Sequence, residues 1–151
     1  MQKKTRTPCV GICSTTYGDE VCRGCKRFYF EVINWNKYDE DEKEAIWTRL
    51  ESLKTQIIYS KIKKINSKKL STKIAELDLK IKTDLNEFCQ IFDLIKLVSE
   101  SFEDLSDFGI TFHDESMNLE ILKRDLEEEL LALSDAHYSK YFKDPLEQKK
   151  A

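Results

Sequence analysis

The sequence predicts a mainly α fold: a small four-cysteine metal-binding knuckle with short helices, followed by a long antiparallel helical hairpin. Three observations predict it. Only four glycines and two prolines punctuate 151 residues, too few turn residues for a many-stranded sheet. Four of the five cysteines, Cys9, Cys13, Cys22 and Cys25, fall within residues 9–25. Beyond residue 39 the apolar residues recur at helical spacing.

The elements follow in order. Residues 1–8 read as a mobile basic tail. Residues 9–25 form the cysteine loop, where Gly11, Gly18 and Gly24 permit the positive φ of a tight wrap. In FYFEVINW (28–35), Phe28, Val32 and Trp35 share one face of a short helix, and Arg27 and Glu31 stand at i and i+4 as a surface pair. Asp39 reads as an N-cap with Glu42 as its capping-box partner. The helix they start carries Ile46, Leu50, Leu53 and Ile57 and runs to about residue 65. INSKKLST (65–72) is a polar break. From Leu70 to Ile95 steps of three and four residues predict one long helix, preferred over a strand at ELDLKIK (76–82). Gly109 stops it. GITFHDES is a connector with one short extended piece. Ser116 or Asn118 caps a last helix through Leu119, Leu122, Leu126, Leu130, Leu133, His137 and Tyr141, ended by Pro145. Two amphipathic segments joined by about ten residues make the hairpin. The domain organisation is then a four-cysteine metal-binding module over 1–53, a Lys-rich helix end and linker over 54–73, the hairpin over 74–145 and a tail over 146–151.

The net charge of −3 conceals blocks. Residues 54–73 hold seven lysines and no acid, whereas residues 74–151 hold nineteen acidic and nine basic groups. Such blocks predict a basic surface, an acidic one, or the two paired. No stretch approaches the roughly 18 apolar residues of a membrane span, and the N-terminus lacks the apolar core of a signal peptide. The expected compartment is the cytoplasm, where disulfides are uncommon.

The cysteine spacing is C-x3-C-x8-C-x2-C. A metal site, two disulfides and a redox dithiol compete for it. Cys9 and Cys13 are too close for an easy bridge in many conformations, and the C-x2-C lacks a thioredoxin-like strand–helix context. Two short pairs across a short loop can bring four thiolates around one ion, the donor set of structural Zn2+ or of an iron–sulfur cluster. Sequence leaves the two open. Arg23, Lys26 and Arg27 favour the thiolate form. Cys89, within the apolar stripe, reads as a buried thiol, and His113 and His137 lack a ligand spacing.

Pro8, Cys9, Cys13, Cys22, Gly24, Cys25, Arg27, Glu31, Val32 and Trp35 together make P-C-x3-C, C-x-G-C-x-R and E-V-x-x-W. This pattern resembles the small proteobacterial family called domain of unknown function 1289. The acidic helix start, Ile46, Arg49 and Leu50 also fit it, over about residues 7 to 53. Family members are often labelled predicted Fe–S proteins and are usually little more than this module. The resemblance implies metal binding and brings no established activity.

Functions beyond the metal are expectations of three kinds. In the preferred one, the chain is a non-enzymatic interaction or adaptor module, binding a protein partner or a second copy through the hairpin. In another it is an iron–sulfur electron carrier or redox sensor. In the third it is a zinc-ribbon-like nucleic-acid binder using Lys61, Lys63, Lys64, Lys68 and Lys69 on phosphates. The plainer reading of those lysines is a solvated face paired with the acidic hairpin. No phosphate loop, dinucleotide motif or nucleophile elbow is present.

Overall fold

The computed structural model of the chain describes residues 6–11, 13–82 and 84–143. Its regular elements are α1 (Tyr29–Asn34), α2 (Glu40–Tyr59), β1 (Ile62–Ile65), α3 (Ser67–Glu76), α4 (Glu87–Val98), β2 (Ile110–Phe112) and α5 (Leu119–Tyr138). Three-residue-per-turn segments lie at Ser14–Tyr17, Trp35–Lys37 and Ser106–Phe108, and a π-turn at Ser139–Lys143 follows α5. The fold is mainly α, as predicted. Most of the basic tail (1–5), Pro145 and the 146–151 tail lie outside the described residues. No helix among the described residues is long and apolar enough to cross a membrane.

The chain forms two compact units. One takes in the described residues up to Leu53 and those from Glu129 onward; the other is Lys54–Glu128. In the first, α2 starts as the sequence predicts. The Glu42 N–H donates to Asp39 Oδ1 at 2.8 Å, and the Asp39 N–H donates to Glu42 Oε1 at 3.3 Å, a reciprocal capping box. Two apolar clusters hold this unit. Val21, Phe28 and Tyr138 pack with Phe30 and Leu131, and Trp35, Ile46 and Leu50 pack with Tyr38 and Trp47. Residues 6–8, predicted to be mobile, are held: Trp47 Nε1 donates to the Arg6 carbonyl at 2.7 Å, and Pro8 is buried.

In the Lys54–Glu128 unit the helices are shorter than predicted. α2 ends at Tyr59, and the β-branched residues after it pair as a strand instead of extending the helix. β1 runs antiparallel to β2 with partners Ile62 and Phe112, Lys64 and Thr111, and Ile65 and Ile110, with a bulge between Ile62 and Lys64. The single helix expected from Leu70 to Ile95 is two. Asp78 adopts a left-handed φ of 50° and closes α3, and the Asn86 side chain accepts the Cys89 N–H at 3.0 Å to start α4. The segment between is neither the helix nor the rival strand. The connector between α4 and α5 spans residues 99–118 rather than about ten. It contains the extended piece predicted there, β2. Asn118 caps α5, accepting from the Glu120 and Ile121 N–H groups at 2.8 and 3.2 Å.

On the apolar stripes of α4 and α5, Phe92, Ile95, Leu122 and Leu126 are fully buried, whereas Leu97 and Ile121 are about half exposed. Cys89 is fully buried beside Thr55, with Sγ and Oγ1 3.3 Å apart.

Gly109 joins β2 to β1: its carbonyl accepts the Asn66 N–H at 2.8 Å. Its φ is +76°, and a Cβ there would lie 2.8 Å from Asn66 Cβ and 3.1 Å from the Asn66 carbonyl oxygen. Gly109→Ala is expected to cost about 1–3 kcal/mol through strain and crowding. Urea denaturation checks this, and an unchanged midpoint would contradict it.

Candidate metal centre

The Cys22–Cys25 turn is a closed knuckle. The Cys22 N–H donates to the Arg27 carbonyl and the Lys26 N–H to the Cys22 carbonyl, both at 2.8 Å. The left-handed residue that closes it is Lys26, with φ 66°. The sequence placed that turn's freedom on Gly24. Val21 and Phe28 form an isolated antiparallel bridge around the knuckle. The loop carrying Cys13 is tied to it by Ser14, whose hydroxyl accepts the Arg23 N–H at 2.8 Å.

At Cys22 the knuckle favours the thiolate. Burial opposes ionisation of Cys22, but backbone N–H groups of Cys25, Ser14 and Gly24 aimed at its sulfur outweigh it and pull the thiol down to about 7. At Cys13 the Thr15 hydroxyl, 3.0 Å from the sulfur, lowers the thiol against weaker opposition from burial. At Cys25 burial dominates and pushes the thiol up, although Arg27 Nε donates to its sulfur at 3.2 Å. Of the three cations expected to assist, Arg27 reaches the Cys25 sulfur. Arg23 pairs with Asp19 at 3.3 Å, and the buried Lys26 ammonium donates to the Gly24 carbonyl at 3.1 Å.

Cys9 stands apart. It is exposed, and its sulfur accepts the Gly11 N–H at 3.4 Å. Among the described residues no three His, Cys, Asp or Glu side chains are grouped closely enough to hold a metal ion. None of the five cysteines forms a disulfide. The donor chemistry fits a thiolate-bound ion, and the described residues gather only part of the predicted set.

Behind the knuckle lies an ion pair that local spacing pointed elsewhere. Glu31 was expected to pair with Arg27. Instead its carboxylate takes both Arg49 Nη1 and Nη2 at 2.6 Å, and also accepts the Phe28 N–H at 2.8 Å. The Arg49 guanidinium lies 4.0 Å from the Phe28 ring centroid. Arg27 instead lies over Trp35 at 4.9 Å while contacting Cys25, with Lys43 over the same ring at 5.6 Å. Phe28 and Trp35, two of the three residues expected on one helix face, are buried, and Val32 is half-buried. What the sequence missed is α5: Tyr138, His137 and Phe142 stack around Phe28 at 5.3–6.0 Å. Burial, then the Arg49 charge, push His137 below its ordinary value. The only sequence signal for this is that the heptad-like stripe of α5 ends on aromatic residues.

The predicted nucleic-acid lysines are on the other unit. Lys61 is half-buried, whereas Lys63, Lys64, Lys68 and Lys69 are exposed on β1 and α3. His113 is exposed in the connector.

Residues 7–54 match the model of the family described as Protein of unknown function (DUF1289), the family whose motif this segment resembles. No curated protein and no solved structure matches the chain.

Two outcomes are expected. Arg49→Met strands the buried Glu31 carboxylate and should cost about 3–5 kcal/mol; chemical denaturation measures it, and a loss below about 1 kcal/mol would contradict it. The second is a pH profile. The folded Cys22 pKa lies below its ordinary value of 9.0, so its contribution to stability is complete above pH 9 and fades as pH falls through about 7. Ultraviolet thiolate absorbance of metal-free protein should show an ionisation near pH 7 that Cys22→Ser removes.

Proposed function

We propose that residues 1–53 are a structural metal-binding module in which the four thiolates of Cys9, Cys13, Cys22 and Cys25 hold one Zn2+ ion or an iron–sulfur cluster. We propose further that the protein serves as a non-enzymatic interaction or adaptor module. The observation that carries the metal reading is the Cys22 sulfur, buried yet supplied with three backbone N–H groups that pull its thiol down to about 7. A neutral buried cysteine needs no such donors, and a thiolate ligand does. Arg27 at Cys25 and Thr15 at Cys13 act in the same sense.

Bound metal would supply folding free energy to a unit whose two apolar clusters are small. The reading requires the four cysteines to draw together on loading, since the described residues bring no three metal-binding side chains within reach of one ion. The iron–sulfur form would add electron transfer or redox sensing. The interaction role would use what the hairpin leaves outside, Leu97 and Ile121, for a protein partner or a second copy.

Anaerobic purification with metal and acid-labile sulfide analysis tests the reading. Stoichiometric zinc in a colourless protein, or iron with sulfide and visible absorbance, would each support the four-cysteine module and identify its occupant. Cys22→Ala should then lose metal and thermal stability together. A metal-free protein as stable as the chelator-untreated one would sink it.

A further inference from the structure

The β1 bulge gives the Lys54–Glu128 unit an unusual edge. In a regular strand Lys63 and Lys64 would point to opposite faces. The bulge between Ile62 and Lys64 leaves Lys63 without a partner on β2, so Ile62 and Ile65 turn inward and both lysines are exposed. Both then line one cleft of about 380 Å³ with Tyr59, Phe88 and His113. The Tyr59 ring is 68% exposed and is propped edge-on by Phe88, with ring centroids 5.6 Å apart. An exposed aromatic face beside two lysines combines a base-stacking platform with phosphate contacts. Further along the chain, Lys68 and Lys69 line a second cleft with Lys73 and Thr72, which also contains Glu76 and Asp107.

The plainer reading pairs these lysines with the acidic surface. It accounts for Lys54, which meets Asp93 at 3.1 Å, and for Lys73, 3.9 Å from Glu76. Among the described residues Lys63, Lys64, Lys68 and Lys69 have no carboxylate within ion-pair distance, in a chain with 28 acidic residues. Four exposed lysines without a carboxylate partner on consecutive elements, with an exposed ring beside two of them, suit a polyanion that carries rings.

We propose that this unit binds single-stranded nucleic acid, with a base stacked on Tyr59 in the bulge cleft and the adjoining phosphates on Lys63, Lys64, Lys68 and Lys69. Duplex fits poorly, because its bases are not available to stack on a side chain. This surface is independent of the metal reading, since none of its residues belongs to the cysteine-bearing unit.

The test uses the full chain as purified and a labelled, mixed-sequence single-stranded oligonucleotide, followed by fluorescence anisotropy at several salt concentrations. Affinity should fall with salt at a logarithmic slope of about −3, as four phosphate contacts give. Lys63→Ala with Lys64→Ala should reduce that slope by about 1.4. Tyr59→Ala should weaken binding by about 5- to 150-fold, while Tyr59→Phe, which keeps the ring, stays near the unaltered protein. Lys37→Glu, a charge change in the other unit, serves as the control, and circular dichroism confirms that each variant is folded. Absence of binding at low salt would overturn the proposal. So would a duplex bound as tightly as the single strand, a mononucleotide bound as tightly as the oligonucleotide, or polyglutamate competing equally well. Indifference to the Tyr59 and Lys63/Lys64 changes would overturn it too.

Discussion

The buried pairing of Glu31 with Arg49 organises the cysteine-bearing unit. One carboxylate, 5% exposed, serves three tasks. It caps α1 through the Phe28 N–H, it binds α2 through both guanidinium nitrogens, and it holds Arg49 over the Phe28 ring. Buried charges are tolerated only when paired and hydrogen-bonded, so these residues admit few other arrangements of α1 on α2. Phe28 sits at the junction. Its backbone bridges to Val21 at the base of the knuckle, and its ring receives Tyr138, His137 and Phe142 from the end of the chain.

That arrangement has an electrostatic consequence for the sulfurs. With Arg49 taken by Glu31, Arg27 is left for Cys25 and for the face of Trp35. The knuckle therefore receives a cation at Cys25 and, at Cys22, backbone N–H groups from its own turn and from Ser14. Lys26 takes the left-handed conformation with its side chain returned to the Gly24 carbonyl, which keeps the turn closed without a glycine at that position. The half of the site around Cys22 is thus prepared for negative charge. Cys9 is exposed on a segment held by the bond between Trp47 and the Arg6 carbonyl.

The Lys54–Glu128 unit solves a different problem. Most of its large apolar residues are buried, and the short sheet turns charged residues outward. One extra residue in β1 puts two consecutive lysines on the exposed side and keeps the flanking isoleucines inside. The same sequence paired in regular register would bury one of them or break the pairing.

Much of this was legible in the sequence where the cause is local. Asp39 with Glu42 and Asn118 are caps because their side chains reach N–H groups two or three residues away. The mainly α fold is likewise written in spacing, and residues 7–54 match the family that their motif resembles. Tertiary structure decided the rest. It paired Glu31 with Arg49 instead of Arg27, because burial rewards a bidentate partner from another helix over a solvated neighbour at i+4. It broke the predicted Leu70–Ile95 helix at Asp78 and Asn86, because inward-facing residues such as Ile81 can keep helical spacing in a segment that is not helical. It brought the aromatic end of α5 onto Phe28 and spared four lysines a carboxylate, since contacts between distant residues leave no mark in periodicity or composition.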